Sequence, residues 1–234
     1  MRIHIIMHES FEAPAAISDW AAKKSHEVTY TKLYDGDNFP SQLDFDFLVV
    51  MGGPQSPATT IQESPHFNAE KEIGFIKQAV DQGKLLVGVC LGAQMIGQAL
   101  GAKYEHSPNR EIGVFQVEMT EEGIHDRLFK SFPKKFPVGH WHGDIPGLTD
   151  KAKVLAHSEG CPRQIVRYTP RIYGFQCHFE FTVEAIEALI ENSTEELSQF
   201  KDLPYVETPA ELRAHDYSKM NELLFGFLDK FTTE

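Results

Sequence analysis

Long apolar runs are missing from this 234-residue sequence: no stretch approaches the roughly 20 residues that a membrane-spanning helix needs. The opening Met1-Arg2-Ile3-His4-Ile5-Ile6-Met7 is too short for a signal peptide and reads as a first strand. Basic charge is also scarce. Lys and Arg number 22 against 34 Asp and Glu, a formal net charge of −12, and no basic cluster offsets it. That balance argues against nucleic acid and against anionic membrane surfaces as partners. Cysteine is limited to Cys90, Cys161 and Cys177, an odd number at unrelated spacings that suggests no disulfide framework and a reducing, cytoplasmic setting. Internal repeats, low-complexity tracts, long linkers and a Gly-rich phosphate-binding loop are absent as well. A chain that is 41% hydrophobic and 24% charged can bury one substantial core. The expectation is a single domain over residues 1–234 with a C-terminal helical extension at about 195–234, and neither cofactor nor metal.

What is present is an alternation of strand and helix patterns. Residues 1–7 are followed by a helix over Pro14 to Lys24, a strand over Glu27 to Leu33 and turn chemistry from Tyr34 to Pro40. A strand from Phe45 to Met51 runs into Gly52-Gly53-Pro54. Ser64-Pro65 reads as an N-cap with proline at the first helical position, and Phe67, Ile73, Ile76 and Val80 form one helical face that ends at Gly83. Between about Lys103 and Gln176 the pattern changes to short strands (112–119, 136–141, 153–157, 164–168, 172–176) with a short helix near His125 to Phe132. Thr182 can cap a helix carrying Val183, Ile186, Leu189 and Ile190, and a last helix lies between Pro209 and Phe231. This is an α/β protein, a mostly parallel doubly wound, flavodoxin-like sheet flanked by helices with a small antiparallel elaboration. In such sheets ligands collect at the carboxyl ends of the strands.

Two motifs carry chemistry. Leu85 to Val89 is an unbroken apolar run, as in a strand buried on both faces, and Gly88-Val89-Cys90-Leu91-Gly92 follows directly with a helix from Leu91 to Leu100. Glycines flanking Cys90 permit the strained strand-to-helix turn of a nucleophile elbow. A thiol at a helix N-terminus gains stabilisation of its thiolate, the reactive form. The competing reading is a buried inert cysteine with glycines that serve only packing. The second motif is Gly174-Phe175-Gln176-Cys177-His178-Phe179-Glu180. In an extended strand His178 and Glu180 share a face, so a carboxylate can orient an imidazole, against the alternative of a surface pair at a strand end. Together the motifs spell nucleophile, base and orienter. An α/β-hydrolase would place its acid before the histidine, not two residues after it. Two histidines at His140-x-His142 could chelate a metal with Cys177, but no further ligands show a recognisable spacing.

The ordered set Met51-Gly52-Gly53-Pro54, Gly88 to Gln94, Glu111-Ile112-Gly113, His142-Gly143-Asp144 and Gly174 to Glu180 resembles the class I glutamine amidotransferases, and within them stand-alone domains similar to the glutaminase domain of GMP synthase. The resemblance spans roughly Phe45 to Glu184. It implies a Cys90–His178–Glu180 triad, an oxyanion hole from the backbone N–H groups of Gly53 and Leu91, and substrate contacts at Gly52, Gln94, His142 and Asp144. The implied reaction releases ammonia from glutamine through a γ-glutamyl thioester. Here His-Phe-Glu replaces the family's usual His-Pro-Glu, and Cys177 replaces an apolar aromatic; neither change removes a reacting group. The partners implied are glutamine or another γ-glutamyl small molecule and a separate synthetase subunit that receives the ammonia. A stand-alone γ-glutamyl peptide hydrolase and a catalytically silent binding module are the alternatives.

Overall fold

The computed structural model describes residues 1–233; Glu234, the last residue of the expected helical extension, lies outside the described residues. The chain runs β1 (Arg2–Met7), α1 (Ala16–Lys23), β2 (Glu27–Lys32), β3 (Phe47–Val50), α2 (Ala69–Asp81), β4 (Leu85–Val89), α3 (Leu91–Ala99), β5 (Glu105–Met119), α4 (Glu121–His125), β6 (Lys135–Ile145), β7 (Lys153–Ser158), β8 (Ile165–Thr169), β9 (Ile172–Phe175), α5 (Val183–Asn192), α6 (Thr194–Phe200), α7 (Pro209–Ala214) and α8 (Ser218–Phe231). One nine-stranded sheet has the order β2-β1-β3-β4-β9-β8-β7-β5-β6. The strands from β2 through β9 pair in parallel, and β8, β7, β5 and β6 continue the same sheet antiparallel.

Alternation along the parallel strands sorts apolar side chains onto two faces. Ile3, Ile5, Phe47, Val49 and Val87 pack with Trp20 of α1 and Phe227 and Phe231 of α8, while Ile6, Leu48, Val50 and Leu86 pack with Phe75 and Ile76 of α2 and Met95 and Ile96 of α3. Burial on both faces explains why β3 and β4 read as unbroken apolar runs. The C-terminal helices are not peripheral to this core. Phe231 meets the rings of Tyr173 and Phe47 at 5.4 and 5.5 Å.

Several element boundaries differ from the sequence reading. Helix α1 begins at Ala16, two residues after the Pro14 expected to start it. Helix α2 is capped by Asn68, which accepts from the Lys71 N–H, because the Ser64 hydroxyl is engaged by Gln55 instead. The short helix expected near 125–132 lies at Glu121–His125, where Thr120 accepts from the Gly123 N–H. The last helix is two: a capping box at Thr208 and Glu211 starts α7, and extended His215 separates it from α8. Strand β9 stops at Phe175, so His178 and Glu180 lie beyond it; an isolated bridge to Gly139, with His178 N–H donating to Gly139 O at 2.7 Å, keeps the segment locally extended.

Candidate active site

The Gly52-Gly53 loop, Cys90 and the His178–Glu180 pair follow the carboxyl ends of parallel β3, β4 and β9, while His142 and Asp144 come from antiparallel β6. Cys90 follows β4 with φ 51° and ψ −112°, a backbone region disfavoured for any residue with a side chain. The turn is held from both sides. Cys90 N–H donates to Phe175 O at 2.7 Å, and α3 approaches so closely that a Cβ on Gly92 would overlap the Val50 carbonyl and one on Gly88 the Gly92 backbone. The flanking glycines therefore serve close packing, and that packing is what forces the elbow.

Opposite Cys90, His178 Nδ1 lies 2.6 Å from Glu180 Oε1, and the imidazole stacks on Phe181 at 4.3 Å. All three groups are buried: Cys90 is 6% exposed, His178 2% and Glu180 3%. Desolvation alone would lower the proton affinity of His178, but Glu180, and after it Cys90, outweigh it and raise its pKa to about 10. Burial, the largest influence, leaves the Cys90 thiol raised, although His178 and the Leu91 N–H pull it down. A thiolate beside an imidazolium is the arrangement in which each buried charge is compensated. Cys161, raised by burial to about 11, and Cys177, raised well above the ordinary thiol range, have no such partner imidazole.

A cleft of about 790 Å³ opens over the sulfur, lined among others by Gly53, Cys90, Gln94, His142 and Asp144. Gln94 Nε2 donates to Gln176 Oε1 at 3.1 Å, which leaves Gln94 Oε1 buried without a partner in the cleft wall. His142 Nε2 sits 3.2 Å from Glu111 while its Nδ1 is unpartnered, and Asp144 accepts from His106 at 2.6 Å. His178 and Glu180 border a small recess that adjoins the cleft through Phe11 and Glu12. The expected residues thus converge on one place.

A family model for class-I glutamine amidotransferases matches residues 14–197. The chain belongs to that family. The chain is 48% identical to the glutamine amidotransferase-like protein YfeJ of Salmonella typhimurium over 233 residues, which is 99% of this chain and 98% of that one. It is 33% identical to the glutamine-hydrolyzing GMP synthase of Photorhabdus laumondii over 177 residues, covering 69% of this chain and 31% of that protein. Among solved structures, SMU.1228c superimposes with a TM-score of 0.97 at 49% identity, covering 99% of this chain and all of that one, 100%. A glutamine amidotransferase from Thermotoga maritima shares the fold, with a TM-score of 0.87 at 24% identity over 100% of this chain and 99% of that one.

The departures from the family motif have local explanations in this chain. Phe179, in the place of proline, turns away from the cleft and packs with Phe136 and Phe175 at 5.8 and 5.3 Å; Cys177 is fully buried at 0%. Residues that the sequence reading missed complete the site. Buried His8 meets Gly52 O through Nδ1 at 2.9 Å and Glu72 through Nε2 at 3.0 Å, which anchors the Gly52-Gly53 loop. Desolvation works against a charged His8, but Glu72 prevails and raises it. Helix α6 supplies one wall of the cleft: Glu196 pairs with Arg110 and accepts from Trp141 Nε1 at 2.9 Å, while Arg110 lies 4.2 Å over the Phe200 ring. Glu12, in the loop between β1 and α1, places its carboxylate against Gly52. Glu111, His142 and Cys161 bring ligand-type atoms within 4.8 Å of one another, but Glu111 is already engaged by Ser158 and Gln164, each at 2.6 Å. The cluster is a hydrogen-bonded strut beneath His142.

Proposed function

We propose that this chain hydrolyses the γ-amide of glutamine, the glutaminase half-reaction of an amidotransferase, through a γ-glutamyl thioester on Cys90. The observation that carries the reading is the strained Cys90 elbow facing a buried His178–Glu180 pair at the edge of the cleft. The Cys90 thiolate attacks the γ-carbonyl, and the N–H groups of Gly53 and Leu91 receive the oxyanion. His178, held protonated by Glu180, gives its proton to the leaving ammonia. Neutral His178 then takes a proton from water, which attacks the thioester and returns Cys90 as thiolate. Gln94, His142 and Asp144 bind the polar groups of the glutamine, and Gly52 lets the loop lie flat beside it.

The ammonia acceptor would be a separate synthetase polypeptide, a reading supported by relatives in which the match is to one component of a multi-chain enzyme, as in the glutamine-hydrolyzing GMP synthase of Pyrococcus abyssi. A stand-alone γ-glutamyl peptide hydrolase uses the same residues. It is favoured by one feature, the α6 wall, which leaves more room in the cleft than one glutamine occupies. Alkylation by a chloroketone analogue of glutamine should label Cys90 first and abolish turnover. Labelling of Cys177 or Cys161 ahead of Cys90 would overturn the assignment. Steady-state rates on glutamine and on a γ-glutamyl dipeptide, with no other protein present, then separate the two substrates.

A further inference from the structure

The hydrolytic cycle leaves one group at the site unused. Glu12 sits where a Cβ on Gly52 would overlap its Oε2, and that same point is 3.4 Å from Cys90 Cβ, so carboxylate and nucleophile flank one glycine. Glu12 also lines both the main cleft that holds Cys90 and the recess that holds His178 and Glu180. Among the described residues none donates a hydrogen bond to it. His178 Nε2, in the same recess, is buried with Cys90 as its one interacting neighbour and no hydrogen bond of ordinary geometry.

An anion here is costly for hydrolysis alone. Its charge raises the Cys90 thiol and so opposes the thiolate. The nearby cation Arg110 is engaged by Glu196 and Phe200 and does not neutralise it. Glu180 and Glu9 add negative potential at Glu12, His178 and His8 oppose it, and burial, the largest influence, raises its pKa to about 7. A carboxylate in this position is complementary to a positively charged nitrogen.

We propose that Glu12 forms an amine site beside the Cys90 thioester, so that the protein transfers the γ-glutamyl group to small primary amines as well as to water. The inference rests on the thioester chemistry proposed above. An ammonium ion R–NH3⁺ pairs with Glu12 and passes one proton to its carboxylate. The free amine attacks the thioester carbonyl, the C–N bond forms, the C–S bond breaks and Cys90 leaves as thiolate. Neutral His178 takes the second proton from nitrogen. The products are the γ-glutamyl amide, a protonated Glu12 and the thiolate–imidazolium pair; no other reactant is needed. Run backwards, the same site receives the amine released during acylation.

The test reads how one acyl-enzyme partitions. Full-length protein is given glutamine with increasing methylammonium chloride at constant ionic strength, and with methanol in parallel as an uncharged nucleophile. Glutamate, γ-glutamyl methylamide and methyl ester are quantified by mass spectrometry, together with the thioester on Cys90. Methylamide formation should saturate with methylammonium and exceed the ester. Glu12→Gln should lower the methylamide-to-glutamate ratio about tenfold or more, the loss of a charged hydrogen bond, with Glu12→Asp in between. The ratio cancels any change in acylation rate. An unchanged ratio in both variants, or a wild-type dependence on methylammonium as linear and weak as that on methanol, overturns the amine site while leaving hydrolysis standing. Release of neither glutamate nor methylamide from glutamine by the wild type, or their undiminished release by Cys90→Ala, overturns the hydrolytic reading and the amine site with it.

Discussion

At the scale of single residues, the roles of His178 and Glu180 are separable. In the proposed reaction the imidazole moves protons, whereas the carboxylate holds the ring and its charge. His178→Ala should lower kcat/KM on glutamine by about 10² to 10⁴, and Glu180→Ala by less. The pH profile distinguishes them further. Desolvation lowers His178, and the interaction with Glu180 is what reverses that, to about 10. Removing Glu180 therefore leaves the ring to lose its proton at lower pH, so the alkaline limb of kcat/KM should move toward neutrality. An alkaline limb that stays put in Glu180→Ala would assign it to another group.

Among the elements, α6 is the one whose attachment shapes the cleft. It is a short helix of seven residues with no side-chain cap, and it is fastened across the cleft by Glu196 to Arg110 and Trp141. A pair of this exposure contributes little to global stability. Its effect is local, because without it the wall can swing away from the cleft. Glu196→Ala should leave the melting temperature within a few degrees yet raise KM several-fold. The rise should be larger for a γ-glutamyl dipeptide, whose amine portion reaches further into the cleft, than for glutamine. Equal increases for both substrates would show that α6 does not contact the leaving group.

For the molecule as a whole, buried histidines set the pH dependence of stability, and they divide into two groups. Burial lowers His4 to about 4 and His140 to about 3, and lowers His142 as well. These rings stay neutral in the fold while the unfolded chain binds protons below about 6.5, so their contribution is lost as the pH falls through that value. His8 and His178 are raised, so their contribution is complete below about 6.5 and declines as the pH rises toward their folded values, about 10 for His178. Stability should therefore peak near pH 6.5 to 7 and fall on both sides. Urea melts at about pH 5, 6.8 and 9 measure this; a stability that rises steadily across the range would mean that the raised pair contributes nothing.

The sequence by itself determined what is local. Apolar runs identified β3 and β4 because strands buried on both faces need no alternation, glycines around Cys90 marked the elbow because only they admit the close approach of α3, and the spacing of two paired His178 with Glu180. Where competing caps existed the local signal misled, as at Ser64 and Asn68, since tertiary contact with Gln55 decided which side chain was free to cap. The tertiary structure alone brought His8 to Glu72, Glu12 to Gly52, and Glu196 to Arg110 and Trp141. Each is a buried or half-buried polar group whose partner lies tens of residues away in the chain. Such groups have no periodicity to betray them: they are tolerated in the interior only because folding supplies a compensating charge or hydrogen bond, and which residue supplies it depends on strand order and loop path.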